Sequence, residues 1–389
     1  MGTIKRTFAN NLTGAGKISS TGLDSVVPAS NVANSSVTNV TEVSPSIGAA
    51  IKGVAGNPPS PSQALGDMWY DTNTGKLKNY VTVASAFSSG GTRNDGQNDG
   101  GGAGVLTAGL AFGGTRNPNS PNVGGLATQT QSEEYNGSSW SEGGAMSQGR
   151  ATFGGLGTQT AALAFGGRIT NNPFTYTNAT EEYNGSSWTS GGNLGSTSYY
   201  MSRSGGGTQT AGVKVGGINN IPGTANEKET EEYDGSSWTT VNNMLANSRR
   251  TVYLGTQTAG IIASGGPPGP GNAAAYDYDG TSWTSNAAGP NSSLSGRVGV
   301  GTASVGLLIG GNPYSPTALI SELWNGTVFS NDASLSIQQN ASQSSNSATG
   351  PVAGYITSGS NLTTPGSALT TTQEYTGAFN AIKTVTTST

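Results

Sequence analysis

Short apolar runs, each stopped by a glycine pair and followed after a polar stretch by an acidic–aromatic segment, recur along most of the chain. One copy runs Gly157-Thr-Gln-Thr-Ala-Ala-Leu-Ala-Phe-Gly-Gly167, then Thr180-Glu-Glu-Tyr-Asn-Gly-Ser-Ser-Trp188. The pair returns as Gly207 to Gly217 with Thr230 to Trp238, and as Gly255 to Gly266 with Tyr276 to Trp283. An apolar run of about five residues bounded by turn residues predicts a strand buried on both faces. Asn-Gly or Asp-Gly after an aromatic predicts a two-residue hairpin turn, because both central residues need positive φ. In that hairpin Tyr183 faces Ser186, and Tyr183 lies diagonal to Trp188 on one face of the pleat. Degenerate copies keep the order: Leu106 to Gly114 before Glu133 to Trp140, Val305 to Gly311 before Glu322 to Phe329, and Val352 to Gly359 before Glu374 to Phe379.

The aromatic that closes each hairpin falls at Phe87, Trp140, Trp188, Trp238, Trp283, Phe329 and Phe379. A period of about 40–50 residues with four strands per unit predicts an all-β, β-propeller architecture. Six blades are the simplest count and seven the alternative, with the ring closed by strands from both ends of the chain. The predicted organisation is an extended arm over 1–57, a Pro-rich connector and β-hairpin module over 58–91, and the propeller over 92–389.

The order of apolar strand, Gly-Gly, variable loop, Tyr, turn, Trp and a following Arg is similar to the kelch repeat of β-propellers. Tyr135 with Trp140, Tyr183 with Trp188, Tyr233 with Trp238 and Tyr278 with Trp283 take the structural aromatic positions of that repeat. Arg150, Arg203, Arg249 or Arg250, and Arg297 take its arginine position, an inter-blade hydrogen-bonding role.

Ahead of the repeats the pattern changes. Residues 1–57 alternate small apolar and polar residues without the bulk for a core, which suits an arm that orders on a partner. Val37, Val40, Val43, Ile47 and Ile51 keep an apolar periodicity, and Ser46 to Lys52 has the pattern of a helical turn. After Asn57-Pro-Pro-Ser-Pro-Ser, the segment Leu65 to Tyr80 resembles a hairpin module that recurs in phage tail and fibre proteins. The leader Thr3-Ile-Lys-Arg-Thr-Phe-Ala-Asn-Asn11 and the Gly-Thr-Gln-Thr-Ala repeats look like virion structural proteins of marine, cyanophage-type tailed phages. The resemblance implies a non-enzymatic virion component, located in the tail or a tail-associated fibre. Its arm would contact other virion proteins, and its displayed disc would adhere to a host-surface glycan; the unsatisfied apolar positions of the arm separately suggest a homo-oligomer. The alternatives are a purely architectural neck, baseplate or decoration protein, and a glycan-degrading tail enzyme.

Composition narrows the chemistry. The chain has 389 residues, 17 basic against 21 acidic, with no cysteine and no histidine. Disulfides, thiolate sites and imidazole-bound metals are excluded, as are serine–histidine and cysteine–histidine nucleophiles and copper sites of the galactose-oxidase kind. With charged residues at 10% and a net charge of −4, there is no basic stripe for nucleic acid. The start lacks the apolar core of a secretory signal, and no run is long enough for a membrane span. No cofactor is expected.

Three Glu-Glu pairs, Glu133-Glu134, Glu181-Glu182 and Glu231-Glu232, could suggest a glycosidase couple. Adjacent strand residues point to opposite faces, so the pairs read as structural. Asn94 to Gly100 has oxygen ligands for calcium near a Gly turn but reads as a polar loop, and no metal is expected. Ligand binding is expected in the loops after each Gly-Gly, on one face of the disc, through the aromatics Phe174, Tyr176 and Tyr314.

Overall fold

The computed structural model describes residues 51–54, 57, 67–116, 127–171, 173–201, 206–219, 228–265, 273–311, 319–337, 339, 343–344, 353–359 and 369–384. It is all-β, with no α-helix among the described residues and mainly antiparallel sheets. Among the described residues, no helix is long and apolar enough to cross a membrane. The chain divides into two compact units, Met1–Ala84 with Ala378–Thr389, and Ser85–Gly377.

The smaller unit holds one four-stranded sheet: Ile51–Val54, Met68–Asp71, Lys76–Val83 and Phe379–Thr384. The first two strands are parallel, so the helical turn expected over Ser46 to Lys52 gives way to extended chain at Ile51 and Lys52. The tight turn follows from Asp71, whose Oδ1 accepts from the Asn73 amide at 3.0 Å, and from Gly75 at φ 64°. Trp69 and Leu77 are buried there.

Among the described residues, the larger unit contains six four-stranded sheets. The first comprises Gly101–Val105, Ala108–Phe112, Ser132–Tyr135 and Trp140–Glu142; the second Gly154–Thr158, Ala161–Phe165, Thr180–Tyr183 and Trp188–Ser190. The third comprises Gly206–Thr208, Ala211–Val215, Thr230–Tyr233 and Trp238–Thr240; the fourth Val252–Thr256, Ala259–Ala263, Ala275–Tyr278 and Trp283–Asn286. The fifth comprises Val298–Gly301, Gly306–Ile309, Ser321–Trp324 and Phe329–Asn331. The sixth joins Gln343–Ser344, Ala353–Thr357 and Thr372–Thr376 to Ala86–Ser89, a strand from far earlier in the chain. Phe87 rather than Phe379 is therefore the aromatic opposite Tyr375, with ring centroids 5.2 Å apart. Phe379 instead faces Val83 in the smaller unit. The first strands of successive sheets are neighbours from first to sixth, and that of the sixth neighbours that of the first. This arrangement is β-propeller-like.

The core lies between sheets rather than within one. Phe112 of the first sheet packs on Trp188 of the second at 4.9 Å, and Phe165 of the second on Trp238 of the third at 4.8 Å. Such aromatic contacts add about 0.5–1.5 kcal/mol each beyond burial of their area. Between the sixth and first sheets, Tyr355 packs with Ala111, Tyr135 and Trp140.

The acidic–aromatic hairpin differs from the two-residue expectation. Tyr183 pairs directly with Trp188, their rings 5.0 Å apart, across a loop of Asn184 to Ser187. Asn184 Oδ1 accepts from the amides of Ser186 and Ser187 at 3.0 and 2.9 Å, and Gly185 takes φ 91°. The Asn side chain closes the turn that a type I′ backbone would otherwise close.

Candidate functional site

The repeated residues are used first as framework. Gln159 Nε2 donates to the carbonyls of Gly109 and Tyr135 in the preceding sheet at 3.0 and 2.9 Å, and Gln209 and Gln257 repeat this. Four Trp indoles also reach back one sheet, while that of Trp324 donates to the Ala303 carbonyl of its own sheet. Trp188 donates to Ser132 Oγ, Trp238 to Thr180 Oγ1 and Trp283 to Thr230 Oγ1, at 2.9–3.0 Å. Trp140 donates to Thr372 Oγ1 of the sixth sheet at 2.9 Å. The tyrosines do the same: Tyr183 donates to Glu134 at 2.7 Å, Tyr233 to Glu182 at 2.5 Å and Tyr278 to Glu232 at 2.7 Å. Burial foremost, then the carboxylate partner, pushes Tyr135, Tyr183 and Tyr233 up to about 12.

The first members of the Glu pairs, and Glu322 at the same position of the fifth sheet, point the other way. Glu133 pairs with Arg93 at 3.0 Å, Glu181 with Arg150 at 2.5 Å, Glu231 with Lys214 at 3.3 Å and Glu322 with Arg297 at 2.8 Å, all buried. Burial lowers the three arginines below their ordinary range against the pull of their glutamates. Glu181 Oε2 also accepts from the Ser147 amide at 2.7 Å, tying the incoming connection to its sheet. The inter-blade role expected of the arginines is thus corrected: Arg150 and Arg297 bond within the sheet that their connection enters. Arg93 adds a bond to Ser358 of the sixth sheet. Arg203 lies outside the described residues.

Strand register fixes where variable side chains gather. Gly154 faces Phe165, Phe165 faces Thr180 and Glu181 faces Ser190. The connections after second strands and those leading into first strands therefore emerge at one edge of each sheet. At that edge Arg168–Asn171 and Phe174–Tyr176 form a small hairpin, with the Arg168 guanidinium 5.0 Å from the centre of the Phe174 ring. Phe174 is 56% exposed. Tyr176 stacks on Tyr199 at 4.0 Å, Tyr199 lies 5.1 Å from Tyr200, and the Arg250 guanidinium sits 4.0 Å over the Tyr200 ring. Burial, then the neighbouring Tyr176 hydroxyl, raises Tyr199 to about 12.

The expected aromatics Phe174 and Tyr176 thus join a larger group, while Tyr314 lies outside the described residues. Tyr199 and Tyr200 were not singled out by the repeat pattern, since they precede the third sheet where no motif is counted. An unrepeated Tyr-Tyr in the connection between two repeats was the available signal. The Asn94 to Gly100 loop is held by other means: the Asn94 amide donates to Glu133 at 2.8 Å, and Asp95 pairs with Arg116 at 2.7 Å. No group of three or more His, Cys, Asp or Glu side chains among the described residues is placed to hold a metal ion.

No protein-family model matches this chain, and no curated protein does. Among solved structures, the structure of YjhT is similar at a TM-score of 0.58 and 13% identity, over 75% of this chain and 99% of that one. With 246 chains of solved structures matching, the likeness speaks for an architecture that many proteins share. It shows the fold alone.

Proposed function

We propose that this chain is a virion structural protein of a tailed phage, displaying a six-bladed, kelch-like propeller that adheres to a host-surface glycan. The count of six rests on the cyclic adjacency of the first strands and on the packing of the sixth sheet against the first. The virion assignment rests on the resemblance of the leader, the hairpin module and the repeats to phage tail and fibre proteins. Residues 1–57 are the arm that contacts other virion proteins.

The observation that carries adhesion is the aromatic–arginine group Phe174, Tyr176, Tyr199, Tyr200, Arg168 and Arg250 at the edge where variable connections emerge. Aromatic faces offer apolar area with little side-chain freedom to lose, and sugar rings present a matching C–H face. The repeated carboxylates are engaged in framework bonds, which favours binding over hydrolysis.

The test is proteomic and functional. The chain is expected in gradient-purified particles, and an antibody raised against Phe174–Tyr176 is expected to block particle adsorption to host cells. Absence from washed particles overturns the virion reading; adsorption unaffected by saturating antibody overturns the adhesive one.

A further inference from the structure

Arginine in this chain is ordinarily given a carboxylate. Arg93 pairs with Glu133, Arg116 with Asp95, Arg150 with Glu181 and Arg297 with Glu322, at 2.5–3.0 Å. Arg168 and Arg250 depart from this. Among the described residues neither guanidinium finds an ion pair or a hydrogen bond; each lies over a ring instead, Arg168 5.0 Å from the centre of Phe174 and Arg250 4.0 Å from that of Tyr200. The cause is not a shortage of carboxylates, since acidic residues outnumber basic ones by 21 to 17. A cation–π contact engages the charge of a guanidinium but leaves its N–H donors unused.

The two cations belong to one surface. Arg168 is the cross-strand neighbour of Tyr176, Tyr176 stacks on Tyr199 at 4.0 Å, Tyr199 lies 5.1 Å from Tyr200, and Tyr200 carries Arg250. Arg249 adds its charge to the field at Tyr199. All of these residues are partly exposed, whereas the framework arginines Arg93, Arg150 and Arg297 are buried. The framework pairs tie connections to sheets; Arg168 and Arg250 hold only a ring, which leaves their forked donors open to an anion from outside.

We infer that the glycan read at this surface is acidic: the Arg168 and Arg250 guanidiniums take the carboxylate, sulfate or phosphate of a charged sugar, and the tyrosine rings take its C–H face. The inference rests on the glycan-adhesion reading and names the class of sugar. A neutral sugar would use the rings and leave both charges unpaired, in a chain that elsewhere supplies its arginines with carboxylates. A cationic sugar would be repelled. Nucleic acid presents a run of phosphates that calls for a run of cations, which these two residues do not make.

The test uses the full-length chain and purified host-surface polysaccharide in native, carboxyl-reduced, desulfated and dephosphorylated forms. Calorimetry is expected to show the native form bound, one neutralised form bound at least about tenfold more weakly, and binding weakened by added salt. The form that loses affinity names the anion. R168Q and R250N, Asn being suited to the φ of 51° at that position, are each expected to weaken binding of the native form about tenfold with unchanged melting. R250K is expected to keep part of the affinity, since it keeps the charge and loses the fork. R116Q, which removes a paired arginine whose side chain is 46% exposed, is expected to keep all of it. Equal binding of all the forms overturns the acidic class and leaves the adhesin standing, whereas no binding of the native form overturns both readings. A loss in R116Q equal to that in R250N overturns the site, and tighter binding of a single-stranded oligonucleotide than of the native polysaccharide overturns the sugar.

Discussion

The Tyr135 hydroxyl donates a hydrogen bond to the Glu374 carboxylate, joining side chains 239 positions apart. The same bond links Tyr183 to Glu134, Tyr233 to Glu182 and Tyr278 to Glu232 between consecutive sheets, and Tyr375 to Asp332 between the fifth and sixth. The interface that brings the two ends of the larger unit together is thus made with the chemistry of the others. Loss of one such bond to a charged acceptor is worth about 1.5–3 kcal/mol. Y135F and Y183F are expected to lower stability by equal amounts in that range, measured by denaturant unfolding. A cost for Y183F with none for Y135F would contradict closure through this interface.

These tyrosines also set an alkaline limit. Tyr135, Tyr183 and Tyr233 are raised by burial, then by their carboxylates, to about 12 against an ordinary 10. Above pH 10 the unfolded chain loses these protons first, so folding stability present below pH 10 falls as pH rises towards 12. Phenolate absorbance and loss of circular dichroism are expected to rise together in that window. Phenolate formation by these residues in a still-folded protein would count against the assignment.

The buried ion pairs have a natural neutral counterpart. In the sixth sheet Gln373 takes the place of Glu181, accepts from the Ser336 amide at 2.7 Å and donates to Gln339 Oε1 at 2.7 Å. Gln339 Nε2 bonds the carbonyls of Ser358 and Thr371, as Arg150 Nη1 bonds those of Gly166 and Ala179. Breaking a buried pair on one side costs about 3–5 kcal/mol because a charge is stranded. R150Q and E181Q are each expected to destabilise in that range, and the double variant to recover at least half of the summed loss. Strict additivity in a double-mutant cycle would refute the equivalence.

The arm is expected to carry self-association, since its valines and isoleucines have no core of their own in the sequence. Removal of residues 1–49 leaves the strand Ile51–Val54 in place. The full-length chain is expected to sediment as an oligomer and the shortened chain as a monomer; identical monomeric masses would end this reading.

Much of the framework was legible because it repeats. The Gly-Thr-Gln-Thr and Glu-Glu-Tyr segments mark strand and turn by residue type, and the spacing of Trp140, Trp188, Trp238 and Trp283 marks the unit. The Asn184 turn departs from the two-residue expectation because an Asx-closed loop and a type I′ turn both favour Asn-Gly. The join at Ala86–Ser89 was legible only as a need to close the ring, since pairing with Thr372–Thr376 depends on where the chain returns in space. Two of the six side chains of the candidate surface, Phe174 and Tyr176, followed from their loop. Tyr199, Tyr200 and Arg250 did not, because their grouping depends on how two connections meet in space, with left-handed backbone at Tyr200 and Arg250 that no local pattern announces.

The central claim is that the disc binds a surface glycan without cutting it. The most direct measurement is binding of the full-length protein to purified host-surface polysaccharide, with release of reducing ends followed in the same tube. Saturable binding with no release is the expected result. Release of fragments, or no binding at any polysaccharide concentration, would contradict the account.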